Sequence, residues 1–324
     1  VNDQLDRYKL DKLKEKNYTM AGNGSCYTRE KKGYFPEIVQ KFFNDRLRYK
    51  KLMQKAQKDF QETGALHHKN EISKYNNFQM ARKIQLNSLY GAMANQYFRF
   101  YDDRIAEGIT MSGQLVIRDT AKALDAYMNK VCGTDDKVYS FYSDTDSCYV
   151  TCKNMVDNFF PDKDTAKITE LLDKIGTDKI EPAIDQAMVK LANYTNAFEK
   201  KIFFKREVIA DKGVFVAKKR YALNVLDDEG LRLKDPKLKV MGLEIVRSST
   251  PGPVRDSLKE AVRLVLTSEE EELHDYIEKT KAEFKDMAPE DIAFPRGCNN
   301  LQKYYSSSDI YTKGTPIHLS LIHI

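Results

Sequence analysis

The sequence predicts an α+β protein, in which helices and strands occupy separate stretches of chain rather than alternating strictly. Three observations carry that expectation. Two long segments near the start repeat their apolar residues at helical spacing and are separated by a short polar interruption. A pair of short aromatic and β-branched segments at 137–153 reads as a β-hairpin. Two further strand-like runs, "IFFKREVIA" and "KKRYALNVL", occur between 202 and 226.

Taken in order, residues 1–35 are polar and irregular, with a turn at "AGNGS" (21–25). Pro36 followed by Glu37 is a helix start. From there to Gln61, Ile38, Phe42, Phe43, Leu47, Leu52, Met53 and Ala56 form one apolar stripe. "ETGALHHKN" interrupts, placing His67 and His68 in a solvated loop, and a second helix is expected over about 72–95. Two long helices around a polar turn form an antiparallel helical hairpin. A third helix is expected over about 109–131, with Val116, Leu124 and Val131 near one face, ending at "CGTDD". The β-hairpin follows with Asp144 and Asp146 at its bend, then a helical region over about 165–193 and the two strand-like runs. "SSTPGP" (248–253) is a breaker and a helix cap together, and a domain boundary is expected there. One charged helix over about 254–285 comes next.

Composition excludes several classes. The chain has 324 residues, with 53 Lys plus Arg against 48 Asp plus Glu. The net charge of +5 is compatible with a polyanionic partner without demanding one. The cysteines, at 26, 132, 148, 152 and 298, are odd in number and include no C-x-x-C pair, which argues against a disulfide framework and a zinc site. No apolar run approaches the roughly 18 to 20 residues of a membrane span. The first residue is Val rather than Met, which reads as a start inside a longer protein. The final "LSLIHI" (319–324) reads as a translated sequencing-library scar.

The chemistry concentrates in two places. Aspartate is depleted in strands, and two carboxylates in "YSDTDS" repel unless a cation sits beside them. A hard divalent ion such as Mg2+ takes oxygen ligands and keeps substrate phosphates in its shell, so a D-x-D on a hairpin suggests a phosphate-handling metal site. Alone, a D-x-D is more commonly an ordinary polar turn. On the second helix, Lys83, Asn87 and Tyr90 fall at i, i+4 and i+7, a cation, an amide and an aromatic ring on one face. Such a row suits a triphosphate at the lysine and a base or sugar at the tyrosine. A solvated lysine beside a core tyrosine is the plainer alternative. Arg46 and Lys50 lie at i, i+4 on the first helix and could face the same phosphates or form a plain basic surface.

"KIQLNSLYG" (83–91) followed by "YSDTDS" (142–147) and "KKRYALNV" (218–225) resembles the signature motifs of family B DNA polymerases. "KVCGT", "KLKVMGLEIVRSSTP" and "KGTPIH" bring the likeness nearer to the replicative polymerases of T-even-type bacteriophages. The resemblance spans nearly all of residues 30–318 and implies a right-hand architecture. Its parts would be an N-terminal piece of palm (1–30), a fingers helical hairpin (31–96), a palm with an antiparallel sheet, helices and the YSDTDS hairpin (97–245), and a partial thumb (246–318).

It also implies roles. Arg46, Lys50 and Lys83 would grip the incoming deoxynucleoside triphosphate, with Asn87 holding the helix face in place and Tyr90 under the nascent base pair. Gly91 would allow close approach of nucleic acid. Asp144 and Asp146 would bind metal, Asp146 being the stronger candidate for direct ligation. Thr145, Lys219, Arg220 and Tyr221 would contact primer-template DNA, Lys219 through the minor groove, whose acceptors on every pair report pair shape rather than sequence. The implied activity is that of a nucleotidyltransferase, DNA synthesis by two Mg2+ ions, with Mn2+ as a substitute. One ion would acidify the primer 3′-hydroxyl and the other would stabilise the β- and γ-phosphates. A sliding clamp, replisome proteins and the cytoplasm of a bacterial host are the implied partners and setting.

The sequence departs from the family pattern at Ser143, where many members have Gly, and more seriously in lacking the family's first metal motif, a "DxxSLYPS"-like strand expected just upstream of Val1. The chain therefore reads as a fragment, inactive by itself. Two other classes compete. A non-catalytic DNA-binding module would need no intact D-x-D, and a different magnesium enzyme such as a nuclease would not call for the Lys83–Asn87–Tyr90 row.

Overall fold

The computed structural model describes residues 10–294. The expected terminal scar, "KGTPIH" and the end of the expected thumb lie outside the described residues, as do residues 1–9 and Cys298. The architecture is mixed helix and antiparallel sheet. By internal contacts the chain divides into two compact units, Val1–Glu207 and Val208–Ile324.

The first unit begins with α1 (Leu10–Glu15) and a small antiparallel ribbon, β1 (Tyr18–Met20) and β2 (Cys26–Thr28). This segment, expected to be irregular, is ordered by long-range bonds. Met20 N–H donates to the Thr195 carbonyl at 3.1 Å. The Asn196 side-chain amide donates to Tyr18 O at 2.7 Å, and Arg29 donates to Asn196 Oδ1 at 2.9 Å. Tertiary hydrogen bonds between residues nearly 180 positions apart leave no local periodicity to read.

Two long helices follow, α2 (Tyr34–Thr63) and α3 (Leu66–Met93). Only Gly64 and Ala65 separate them. Gly64 adopts the left-handed conformation (φ 66°) and its N–H caps Phe60 O, which ends α2 in one residue. Ala65 is extended and α3 starts at once. His67 and His68 therefore stand in the first turn of a helix, not in a loop, and His68 Nδ1 lies 3.1 Å from Glu71 Oε2.

The helix α4 (Asp103–Cys132) starts earlier than its apolar pattern suggests, because Asp102 caps it by accepting from Arg104 N–H at 3.0 Å. Against α4 lie β3 (Ser140–Asp144), β4 (Ser147–Val150), α5 (Lys153–Phe159), α6 (Thr165–Ile175), a π-turn at Gly176–Ile180 and α7 (Glu181–Tyr194). Leu124, Ile184 and Met188 form one core cluster, reached by Val116 of α4 and by Cys148 and Val150 of β4. Met128, Tyr139 and Met155 form a second, all almost fully buried. Residues 202–207, expected to be strand, are irregular. Their backbone and cations are held by side chains instead. Arg206 N–H donates to the Glu181 carboxylate at 2.9 Å, its guanidinium pairs with Asp173, and Lys205 lies 3.7 Å from Glu181.

The second unit is a three-stranded antiparallel sheet in the order β5 (Val208–Ala217), β6 (Arg220–Asp228), β7 (Leu231–Met241). It is followed by α8 (Gly252–Thr267), α9 (Glu270–Asp286) and α10 (Pro289–Ile292). The expected single charged helix is broken at Ser268 and Glu269, which are extended; Glu270, Glu271 and Glu272 in the first turn of α9 complement its N-terminal dipole. β7 was not apparent beforehand because "LRLKDPKLKVM" is charged and contains Pro236, both features of an edge strand. Ala222, Leu243 and Leu266 centre this core, with Val214, Leu238, Val240 and Val262 packed against them.

Candidate active site

The β3–β4 hairpin turns in two residues. Asp144 pairs with Ser147, Ser143 with Cys148 and Tyr142 with Tyr149. Asp146 N–H donates to Asp144 O at 2.6 Å around Thr145, whose φ is 54°. A bond from residue i+2 back to residue i around a positive φ is the rarer and strained γ-turn. For a β-branched threonine that backbone costs of order 1–3 kcal/mol. The turn is tightened by Thr145 Oγ1 donating to Asp144 Oδ1 at 3.0 Å and by Ser147 Oγ donating to Asp144 O at 3.1 Å. Asp144 is half-buried, and Thr145 and Asp146 are exposed. Tyr142 and Tyr149 meet edge-to-face at 5.3 Å on the face that Asp144 shares, while Cys148 and Val150 occupy the face that joins the core.

The base of this hairpin is fastened by two side chains of α4 that sequence reasoning missed. The Asp125 carboxylate accepts from Tyr139 N–H (2.9 Å), Ser140 N–H (2.7 Å) and Ser140 Oγ (2.9 Å). One turn on, the Asn129 amide donates to Lys137 O at 2.8 Å and its carbonyl accepts from Lys137 N–H at 3.0 Å. Burial pushes the Cys148 thiol up, a hydrogen bond with Ser143 partly opposes this, and the nearby Asp125 charge adds to the rise. An Asp and an Asn four apart on a helix are too common for this spacing to have signalled the brace.

On α3, Lys83, Asn87 and Tyr90 are all exposed, Tyr90 by 40%, so the row lies on one open helical face. Asn87 was expected to hold this face in place; it is exposed and makes no side-chain hydrogen bond among the described residues. The neighbouring Arg82 turns inward instead, with its guanidinium 5.7 Å from the Phe42 ring centre and 3.6 Å from Asp45 of α2. Successive helical residues point about 100° apart, so an inward Arg82 sends Lys83 outward. Arg46 and Lys50 of α2 are half-buried, and the Arg46 Nε is buried without a hydrogen-bond partner. Gly91 is exposed, and a Cβ there would meet nothing within 4 Å.

In the second unit, "KKRY" forms the two-residue turn between β5 and β6, where Ala217 pairs with Arg220 and Lys219 has a φ of 62°. Gly242, also left-handed at φ 65°, lies so close that a Cβ there would collide with the Lys219 carbonyl oxygen. Arg220 grips both oxygens of Glu244, at 2.8 and 2.7 Å. Tyr221 is only 5% exposed and its ring stacks on Phe215 at 5.0 Å. The ring is thus in the core of its unit.

Among the described residues no three His, Cys, Asp or Glu side chains group as a metal site. The hairpin offers two carboxylates. That donor set fits Mg2+, which binds through one or two carboxylates and completes its shell with water and substrate phosphates. It does not fit zinc, which would want nitrogen or sulfur.

Comparisons with known proteins bear on the family. The model of DNA polymerase family B matches residues 1–313. The chain is 35% identical to the DNA-directed DNA polymerase of Enterobacteria phage T4 over 300 residues, covering 89% of this chain and 32% of that protein. To the DNA-directed DNA polymerase of Escherichia phage RB69 it is 34% identical over 338 aligned residues, covering 89% of this chain and 37% of that protein. DNA polymerase 1 of Pyrococcus abyssi is 28% identical over 234 residues, covering 72% of this chain and 24% of that protein. The chain spans about a third of the length of the phage relatives it matches. A match over nearly the whole chain places it in a family: it belongs to DNA polymerase family B.

Proposed function

We propose that this chain supplies the fingers hairpin, most of the palm and the start of the thumb of a template-directed DNA polymerase that extends a primer with deoxynucleoside triphosphates. The carrying observation is the pair Asp144 and Asp146 on a strained, braced turn within a family B chain. Residues 31–96 are read as fingers, 1–30 and 97–245 as palm, and 246–318 as thumb.

Asp144 and Asp146 would hold the divalent ion. Bound there, Mg2+ or Mn2+ supplies acidification of the primer 3′-hydroxyl and neutralisation of phosphate charge. The remaining work belongs to the chain's own side chains. Lys83, with Arg46 and Lys50, binds the triphosphate by charge-assisted hydrogen bonds. Tyr90 offers its exposed ring to the nascent base pair, and Asn87, facing solvent, adds an amide on the same face. Gly91 gives the nucleic acid room. Thr145 shapes the turn that aims the two carboxylates. Lys219, on a turn fixed by Gly242 and by the Arg220–Glu244 pair, meets the primer end. Such positioning and electrostatics are most of what accelerates phosphoryl transfer. A clamp, replisome partners and a bacterial host cell belong to the whole protein; no helix of the described residues is long and apolar enough to cross a membrane.

The test is primer extension by the chain joined to its own upstream reading frame, beside residues 1–318 alone. The longer form should extend a primer with Mg2+ and lose this on Asp146→Asn. The short form should not extend, since the hairpin offers only two carboxylates. Robust, Mg2+-dependent extension by the short form would show that the first metal ligand has been misplaced. No extension by either form would sink the polymerase reading.

A further inference from the structure

Arg46 and Lys83 stand on different helices, yet a triphosphate needs them at one fixed spacing. Gly64 and Ala65 fix α2 against α3 only at the turn. Arg46 stands 18 residues before Gly64, and Lys83 stands 18 residues after Ala65. At about 1.5 Å per residue, both lie about 27 Å along their helices from the turn, at one level. Over that length a tilt of about 5° at the turn moves the far end of a helix by about 2 Å. Something nearer the two cations has to pin the helices.

The residues immediately before these cations meet across the hairpin. Asp45 Oδ2 of α2 lies 3.6 Å from Arg82 Nε of α3. The Arg82 guanidinium also sits 5.7 Å from the centre of the Phe42 ring, three residues before Asp45 and so on the same face of α2. Arg82 Nη1 donates to Gln85 Oε1 at 3.1 Å. Arg82 is thus held by a carboxylate and a ring of the opposite helix and by an amide of its own. The side chains of Arg82 and Asp45 are 31% and 33% exposed, so solvent and salt screen the pair only in part. Arg46 Nε stays buried without a hydrogen-bond partner, so the carboxylate next to it in sequence serves Arg82 and not Arg46. Successive residues of a helix point about 100° apart. With Asp45 and Arg82 turned toward each other, the rotation of each helix is set, and with it the directions of Arg46 and Lys83.

We propose that Asp45 and Arg82 form a latch across the α2–α3 hairpin: positioning residues that touch no substrate and set the spacing of Arg46 and Lys83 for the triphosphate. This rests on the polymerase reading and deepens it. A latch and a bystander charge differ in sign at Asp45. A bystander carboxylate beside phosphate-binding cations repels the triphosphate, so neutralising it tightens binding. A latch carboxylate holds the cations in place, so neutralising it loosens binding.

The test is single-turnover primer extension, followed against triphosphate concentration, by the chain joined to its own upstream reading frame. Asp45→Asn and Arg82→Gln should each raise the apparent triphosphate Kd about three- to fivefold, with the maximal rate changed by less than about twofold. Asp45→Asn combined with Arg82→Gln should cost no more than either alone, because each removes the same interaction. Asp45→Glu keeps the carboxylate and should keep the Kd. Tightened or unchanged triphosphate binding by Asp45→Asn, or additive losses in the combined variant, overturns the latch while the polymerase reading stands. A fall of maximal rate and melting temperature in step with the rise in Kd also overturns it, in favour of a merely structural pair. No extension by the unaltered chain overturns both.

Discussion

Gly91→Ala separates what the fold needs from what the substrate needs. Gly91 lies in the last turn of α3, and a Cβ there would find nothing within 4 Å. Alanine is favoured over glycine in a helix by about 0.8–1.0 kcal/mol, reduced toward 0.5 near a fraying end. With roughly 2–4 °C of melting temperature per kcal/mol for a unit of about 200 residues, the substitution should raise melting by about 1–4 °C. Under the proposed function the missing methyl group leaves room for nucleic acid to come close. A methyl group forced into a packed contact costs about 1–3 kcal/mol, a loss of roughly 5- to 150-fold in kcat/KM for primer extension. Calorimetry of the chain and single-turnover extension by the form restored at its N-terminus read the two effects independently. A higher melting temperature with unchanged extension would refute close approach of DNA at Gly91. A lower melting temperature would refute the open space around it.

Other outcomes follow from the same geometry. Asp146→Asn should weaken Mn2+ binding measured by titration calorimetry, and identical curves for the two proteins would count against the hairpin as a metal site. Lys83→Ala should weaken triphosphate use by about tenfold to a hundredfold, because a hydrogen bond to a charged group contributes about 1.5–3 kcal/mol. Lys219→Ala should instead slow extension from the primer end with little change in nucleotide affinity; the reverse split in single-turnover kinetics would exchange their roles. Asp102 is held below the usual carboxylate range chiefly by its hydrogen bond with Arg104. Its contribution to stability is thus full above that range and lost as pH falls through its depressed value. Asp102→Asn keeps the cap acceptor but should flatten that acid limb in pH-dependent melts, and an unaltered limb would contradict the assignment.

What was legible in advance was whatever local periodicity encodes. The stripe of Ile38, Phe42 and Leu47 announced α2, and the aromatic segments around Asp144 announced the hairpin with its bend in the right place. What was not legible depends on partners distant in sequence. The ribbon β1–β2 is fastened to residues 195 and 196. The segment 202–207 reads as strand, yet Glu181 and Asp173 hold it in irregular form. The interruption at 62–70 looked long because Gly64 is flanked by polar residues, although one left-handed glycine suffices to end α2. Of the candidate site, the carboxylates and the exposed row on α3 were readable as residue types at spacings. The Asp125–Asn129 brace and the burial of Tyr221 were not, since neither follows from spacing alone.

The placement of backbone strain adds an argument that composition cannot make. Among the described residues six non-glycine residues have positive φ: Asn17, Asp136, Thr145, Asn196, Lys219 and Glu229. Asn and Asp tolerate this region because their short side chains bond locally. Glu229 precedes Gly230 in a tight β6–β7 turn, where such angles are customary. Thr145 and Lys219 also sit in two-residue hairpin turns, but neither is followed by a glycine as Glu229 is, and they stand in the two turns singled out by their chemistry. Glycine would relax the backbone at either position. Each turn is instead over-determined from outside, the first by Asp125 gripping the root of its strand, the second by Gly242 pressed on the Lys219 carbonyl and by the Arg220–Glu244 pair. A strained residue held by rigid neighbours cannot relax when a ligand arrives, so the ligand does not have to order it. Under the proposed function, two-metal phosphoryl transfer would ask this of the two carboxylates and a minor-groove contact would ask it of Lys219: groups already in place, on turns that lack the freedom to move away.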